Sequence, residues 1–99
     1  MPAARTSARV APARACAYAV VRRVFEQGAY ADRALYAEAA NLDQRDRALA
    51  MTLAYGTVQR RATLDHVIGQ LSDRGPIELD APVLAALRLG LMDAPEQLQ

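Results

Sequence analysis

Asp65 and His66 form the one adjacent pair in this 99-residue chain whose side-chain types suit acid–base chemistry. Such chemistry needs an imidazole oriented by a carboxylate and within reach of a nucleophile or a labile proton. No recognisable nucleophile motif lies near His66, so it reads as a surface or structural histidine. Cys16 is the single cysteine; it excludes an internal disulfide framework, supports no metal site and fits a reducing cytoplasm. Gly-rich phosphate loops, metal-ligand clusters and nucleophile elbows are missing from the sequence. What remains is arginine. All twelve basic residues are Arg and none is Lys. The guanidinium fork suits bidentate contact with phosphate, although the abundance of Ala beside Arg looks like a GC-rich coding bias rather than a choice of side chain.

Placement says more than number. Residues 1–25 hold Arg5, Arg9, Arg14, Arg22 and Arg23 and no acid, whereas the rest of the chain sets seven Arg against eleven acids. A basic leading region on a mildly acidic body points to an anionic partner met at the N-terminal end. The net charge of +1 argues against strong indiscriminate nucleic-acid binding. Arg-rich, Ala-rich and acid-free also describes a mitochondrial presequence, but the apolar periodicity runs on from this arm into the first helix. No apolar stretch approaches the ~18 residues of a membrane helix.

The elements that must hold these arginines are helices. Residues 1–11 form a basic arm without periodicity, expected to be mobile. Pro12 suits a first helical turn and Gly28 a stop, and between them Ala13, Ala17, Val20, Val21, Val24 and Phe25 make an apolar stripe. Asp32 is placed to cap a short helix reaching Ala40, and Asp43 to cap a longer one by accepting from the backbone N–H near Asp46. At about 100° per residue, Ala48, Leu49, Thr52, Leu53, Tyr55 and Gly56 share an arc. Asp46, Arg47, Ala50, Ala54 and Arg61 fall opposite, a face that reads either as solvated or as free to meet phosphate. Arg45 and Arg60 project into the apolar arc, with their heads expected to pair with Asp32 or Asp65. Gly56 admits a neighbouring helix or a bend near Thr57–Arg61. Thr63 is expected to cap Leu64–Leu71, 72–79 is a loop with Gly75-Pro76, and Asp80 caps a last helix with Pro82 in its first turn. That helix is apolar on two sides, with Val83, Leu84, Leu87 and Leu91 on one face and Ala85, Leu89 and Met92 on the other. It therefore wants two neighbours.

Four blocks in this pattern, GAYADRAL (Gly28–Leu35), RDRALAMTLAYGTVQRR (Arg45–Arg61), TLDHVI (Thr63–Ile68) and LDAPVLAALRLG (Leu79–Gly90), carry a resemblance. Together they resemble the N-terminal domain of the Sun/Fmu (RsmB) ribosomal-RNA cytosine-C5 methyltransferases, a domain similar to the antitermination factor NusB. The likeness covers roughly residues 8–91. It implies an all-α, NusB-like helical bundle over 12–91 that binds ribosomal RNA and precedes a separate catalytic domain. S-adenosylmethionine and the catalytic cysteine are expected only in that domain, with no cofactor in this chain and no match for Cys16. The segment LMDAPEQLQ departs from the family pattern, so the bundle reads as truncated or diverged on its C-terminal side, with a disordered tail over 92–99.

The chain is therefore expected to be non-catalytic, cytoplasmic and RNA-binding through Arg9, Arg14, Arg22, Arg23, Arg47 and Arg61. The first four follow from the Arg-rich N-terminal region that the related antitermination factor uses for RNA, the last two from the helical phase. Tyr18, Tyr30, Tyr36 and Tyr55 are open between base stacking and packing. The alternative is a helical protein-interaction module, since the related factor also binds a ribosomal protein. The two-faced last helix adds self-association as a possibility.

Overall fold

The computed structural model describes residues 11–71 and 79–92. Among them are five helices and no strand: α1 (Pro12–Gln27), α2 (Ala31–Glu38), α3 (Gln44–Gln59), α4 (Arg61–Leu71) and α5 (Ala81–Met92). The all-α reading of the sequence holds. The expected mobile arm lies outside the described residues except Ala11, as does the expected tail beyond Met92 and nearly all of the 72–79 loop. No helix among the described residues is long and apolar enough to cross a membrane.

Helix α1 is the hub, packed against α2, α3 and α5. Pro12 opens it, where a missing N–H costs nothing. Gly28 closes it with φ at 71°, a left-handed conformation that carries no Cβ penalty in glycine. The N–H of Gly28 donates to the Val24 carbonyl and that of Ala29 to the Arg23 carbonyl. Ala13, Cys16, Ala17, Val20 and Val21 bury one stripe at the i, i+3, i+4, i+7, i+8 spacing of a core-facing helix. Helix α2 contributes Ala34 and Leu35, and Ala39 follows at its C-terminal end. It begins at Ala31 behind Tyr30, whose side chain makes no capping hydrogen bond. Asp32 lies inside the first turn instead of capping it, its Oδ1 accepting from the Arg33 N–H at 2.9 Å.

Helix α3 starts as its sequence demands, the Asp43 carboxylate accepting from the Asp46 N–H at 2.7 Å, but its buried face is not the expected arc. Ala50, Leu53, Ala54 and Thr57 are buried, while Leu49 is 41% exposed. The alanines expected to face outward are the ones against the core. The reason is steric, because helix axes approach more closely where the facing side chains are small, and α1 presents Ala13 and Ala17 to the same core. The buried Thr57 hydroxyl donates to the Leu53 carbonyl at 2.7 Å, which removes the cost of burying it. Arg45 and Arg60 accordingly lie exposed, and neither pairs with Asp32 or Asp65.

The chain turns at Arg60, whose N–H still donates to the Gly56 carbonyl at 3.0 Å while its own carbonyl accepts from Leu64. Helix α4 thus begins at Arg61, upstream of the expected cap at Thr63. It buries Leu64 and Ile68 and packs against α5. Gly56 provides the close approach expected of it: a Cβ there would stand 2.8 Å from Met92 Cε. Helix α5 buries Ala85, Arg88 and Leu89 and leaves Val83 and Leu87 about half exposed. Its apolar residues do divide between two sides, with a charged residue in the buried one.

Candidate nucleic-acid interface

Of the six arginines read from the sequence as RNA contacts, Arg9 lies outside the described residues. The other five separate into three places. Arg22 and Arg23 lie on the second half of α1, beside Glu26, Gln27 and Glu38, and line a shallow groove of about 320 Å³. Arg61 opens α4 and lines an adjoining groove of about 240 Å³ with Phe25, Glu26, Leu84 and Arg88. Because Glu26 lines both grooves, these three arginines form one neighbourhood. Arg14 instead borders an apolar cavity of about 500 Å³ with Tyr18, Leu53, Ala86, Leu89 and Gly90. Arg47 stands apart, donating to the Ala39 carbonyl at 3.3 Å. That contact satisfies a carbonyl at the C-terminal end of α2 and ties α2 to α3.

Charge in the α1 neighbourhood is largely paired. Arg22 grips Glu26 through Nε and Nη2 at 2.7 and 2.9 Å, one turn along the helix, and lies 5.8 Å from the Tyr18 ring centroid. This grip holds the Glu26 carboxyl below the usual carboxylate range and raises Arg22 further. Arg23 reaches Glu38 on α2 at 3.3 Å. Both pairs are solvent-exposed and contribute little to stability. Arg61 is different. Its guanidinium lies 5.4 Å from the Phe25 centroid, and none of the ion pairs found among the described residues includes it.

Arg88 escaped the sequence reading altogether. It is 8% exposed, bound at both ends of its fork to Asp65, and 4.6 Å from the Phe25 centroid. A signal was present, since Arg88 is the lone charge within the apolar run APVLAALRLGLM, and a charge in such a run needs a partner. Asp65, the carboxylate adjacent to His66 in the sequence, is thereby committed to Arg88. His66 is exposed and contacts Gln70 at 3.3 Å. Cys16 is buried, its thiol pushed up by burial and by the Glu38 carboxylate, the opposite of what a nucleophile requires. Tyr18 and Tyr55 are half-buried at the core's edge, whereas Tyr30 and Tyr36 are exposed.

The chain resembles two curated proteins of Mycobacterium tuberculosis, "Putative methyltransferase MT1451" of strain CDC 1551 / Oshkosh and "Putative methyltransferase Rv1407" of strain H37Rv. It is 42% identical to each over 81 residues, covering 80% of this chain and 18% of either relative. The chain thus spans less than a fifth of the length of those relatives. No solved structure matches it significantly. The NusB family profile matches residues 11–95, which takes in all five helices and both arginine grooves. This chain belongs to the NusB family.

Proposed function

We propose that this chain is an RNA-docking domain that seats ribosomal RNA for a cytosine-C5 methyltransferase domain on the same polypeptide, acting in the cytoplasm. The observation that supports this reading is the meeting of Arg22, Arg23 and Arg61 around Glu26, in a NusB-family fold whose relatives are named methyltransferases. Docking here is electrostatic. Phosphates take the guanidinium N–H groups of Arg22 and Arg23 that Glu26 and Glu38 leave unoccupied, and a rigid helical hub keeps those groups in register. S-adenosylmethionine is expected only on that separate domain. Methyl transfer is therefore assigned to the separate domain, and no step of it is routed through these residues.

The test is binding of the 99-residue chain to a ribosomal-RNA hairpin, followed by fluorescence anisotropy across a salt series. Affinity should fall as salt rises, with each phosphate contact adding roughly 0.7–0.9 to the log–log slope. Changing Arg22 and Arg23 to Gln should flatten that slope and leave the helical content unchanged. Binding that is absent, or indifferent to salt, would refute the reading.

A second reading draws on one observation, the exposed Val83 and Leu87 of α5 beside the apolar cavity lined by Leu53 and Leu89. It makes the domain a helical protein-interaction or self-association module. Sedimentation of the chain over a range of concentrations checks it, and a monomer throughout would remove self-association.

A further inference from the structure

We infer that the Phe25–Arg61 pair is a stacking platform for one base of single-stranded RNA, with the flanking phosphate held by the in-plane N–H groups of Arg61. This deepens the RNA-docking reading and rests on it. Three observations carry it. First, Arg61 is exposed and its guanidinium lies over an aromatic ring, so the ring holds the guanidinium in place while its outer face and its donors remain available. Guanidinium planes and aromatic rings are the two surfaces on which unstacked bases are held.

Second, the charged side chains that line this groove are paired except for Arg61. Glu26 is bound by Arg22 and Arg88 by Asp65. No unneutralised carboxylate lines the groove to repel a phosphate, and exposed Arg60 adjoins Arg61 in the chain. Third, the groove is lined by apolar Ala81, Leu84 and Ala85 as well as by the ring and holds about 240 Å³. That is room for a base.

A second guanidinium–aromatic pair with an exposed arginine, Arg33 over Tyr30 at 5.7 Å, lacks this balance. Its ring borders a groove shared with Asp32, and no ion pair among the described residues neutralises that carboxylate.

The platform separates stacking from charge, so the test uses two variants and two probes. The 99-residue chain is titrated with a single-stranded uridine oligonucleotide and with an abasic ribose-phosphate oligomer of equal length. The Arg61→Lys variant keeps the charge and loses the flat face. It should bind the uridine oligomer roughly fivefold or more weakly, yet bind the abasic oligomer as the unaltered chain does. The Phe25→Leu variant should show the same selective loss, with circular dichroism confirming that the helices persist. Should Arg61→Lys bind both oligomers as tightly as the unaltered chain, the platform is overturned while the RNA-docking reading stands. Equal weakening toward both oligomers would reduce Arg61 to a phosphate contact and also overturn the platform. Absence of any binding by the unaltered chain would take down both ideas together.

Discussion

Arg88 of α5 and Asp65 of α4 are joined through two parallel bonds, Nε to Oδ1 at 2.7 Å and Nη2 to Oδ2 at 2.9 Å. The pair fastens the last described helix to the one before it in the chain. The Asp65 side chain is 25% exposed and that of Arg88 9%, so the two partners are not equivalent. Asp65→Ala leaves a buried guanidinium without a counter-charge and should cost about 2–4 kcal/mol. Arg88→Met keeps an apolar stem in place and lets Asp65 turn toward water, for a loss of about 1 kcal/mol. Urea unfolding at neutral pH measures both. Equal losses would show that the asymmetry in burial has no energetic meaning.

Gly56 is expected to tolerate one added carbon and no more. Alanine there gains up to ~1 kcal/mol in helix propensity, but its Cβ meets the flexible end of Met92 at 2.8 Å. The two effects should nearly cancel, and thermal melting of Gly56→Ala should resemble that of the unaltered chain. Gly56→Val cannot be accommodated by moving the methionine tip alone and should cost about 1–3 kcal/mol.

Glu26 titrates below the usual carboxylate range chiefly because it accepts hydrogen bonds from Arg22. A depressed folded value means that the contribution of this pair is complete above the ordinary glutamate range. It is then lost as pH falls through the folded value. Carbon-detected NMR of the Glu26 carboxyl should find a midpoint below that of free glutamate, and Arg22→Gln should move it upward. An unchanged midpoint in the variant would mean that Arg22 is not its cause.

The Cys16 thiol is raised by burial first and by Glu38 second, so two barriers protect it, access and protonation. An aromatic disulfide reagent near neutral pH should label it slowly in the folded chain and rapidly in denaturing urea. Glu38→Gln should increase thiolate formation without opening the core. Rapid labelling of the folded chain would contradict its burial.

Several features were legible in the sequence because their causes are local. Pro12 and Gly28 bound α1 through backbone constraints confined to one turn, and Asp43 caps α3 within three residues. The resemblance carried by Arg45–Arg61 and Leu79–Gly90 led to the right family for the same reason, as contiguous blocks are visible without a fold. The phase of α3 was not legible. Hydrophobicity places Leu49 above Ala50, whereas close packing on α1 selects the smaller residue, and only the partner helix reveals which criterion prevails. Arg88 was hidden by distance, its partner standing 23 positions earlier in the chain. Of the arginines singled out, Arg22, Arg23 and Arg61 come together because the first residue of α4 reaches Phe25 and Glu26 of α1. Linear spacing does not encode that meeting.

The seam of Ala13, Ala17, Ala50, Ala54 and Ala85 has a consequence for any search for weak points by truncation. Replacing each residue by alanine in turn locates an ordinary core by the holes it leaves, and here that survey passes over the centre of the molecule in silence. These positions are already at the small end of the scale, so their sensitivity runs in one direction, toward growth. A drift from alanine to valine, a single-base change at any alanine codon, would wedge the helices apart from within. Variation in such a domain should therefore collect on its arginines and loops, while the least conspicuous side chain in the sequence is the one held constant.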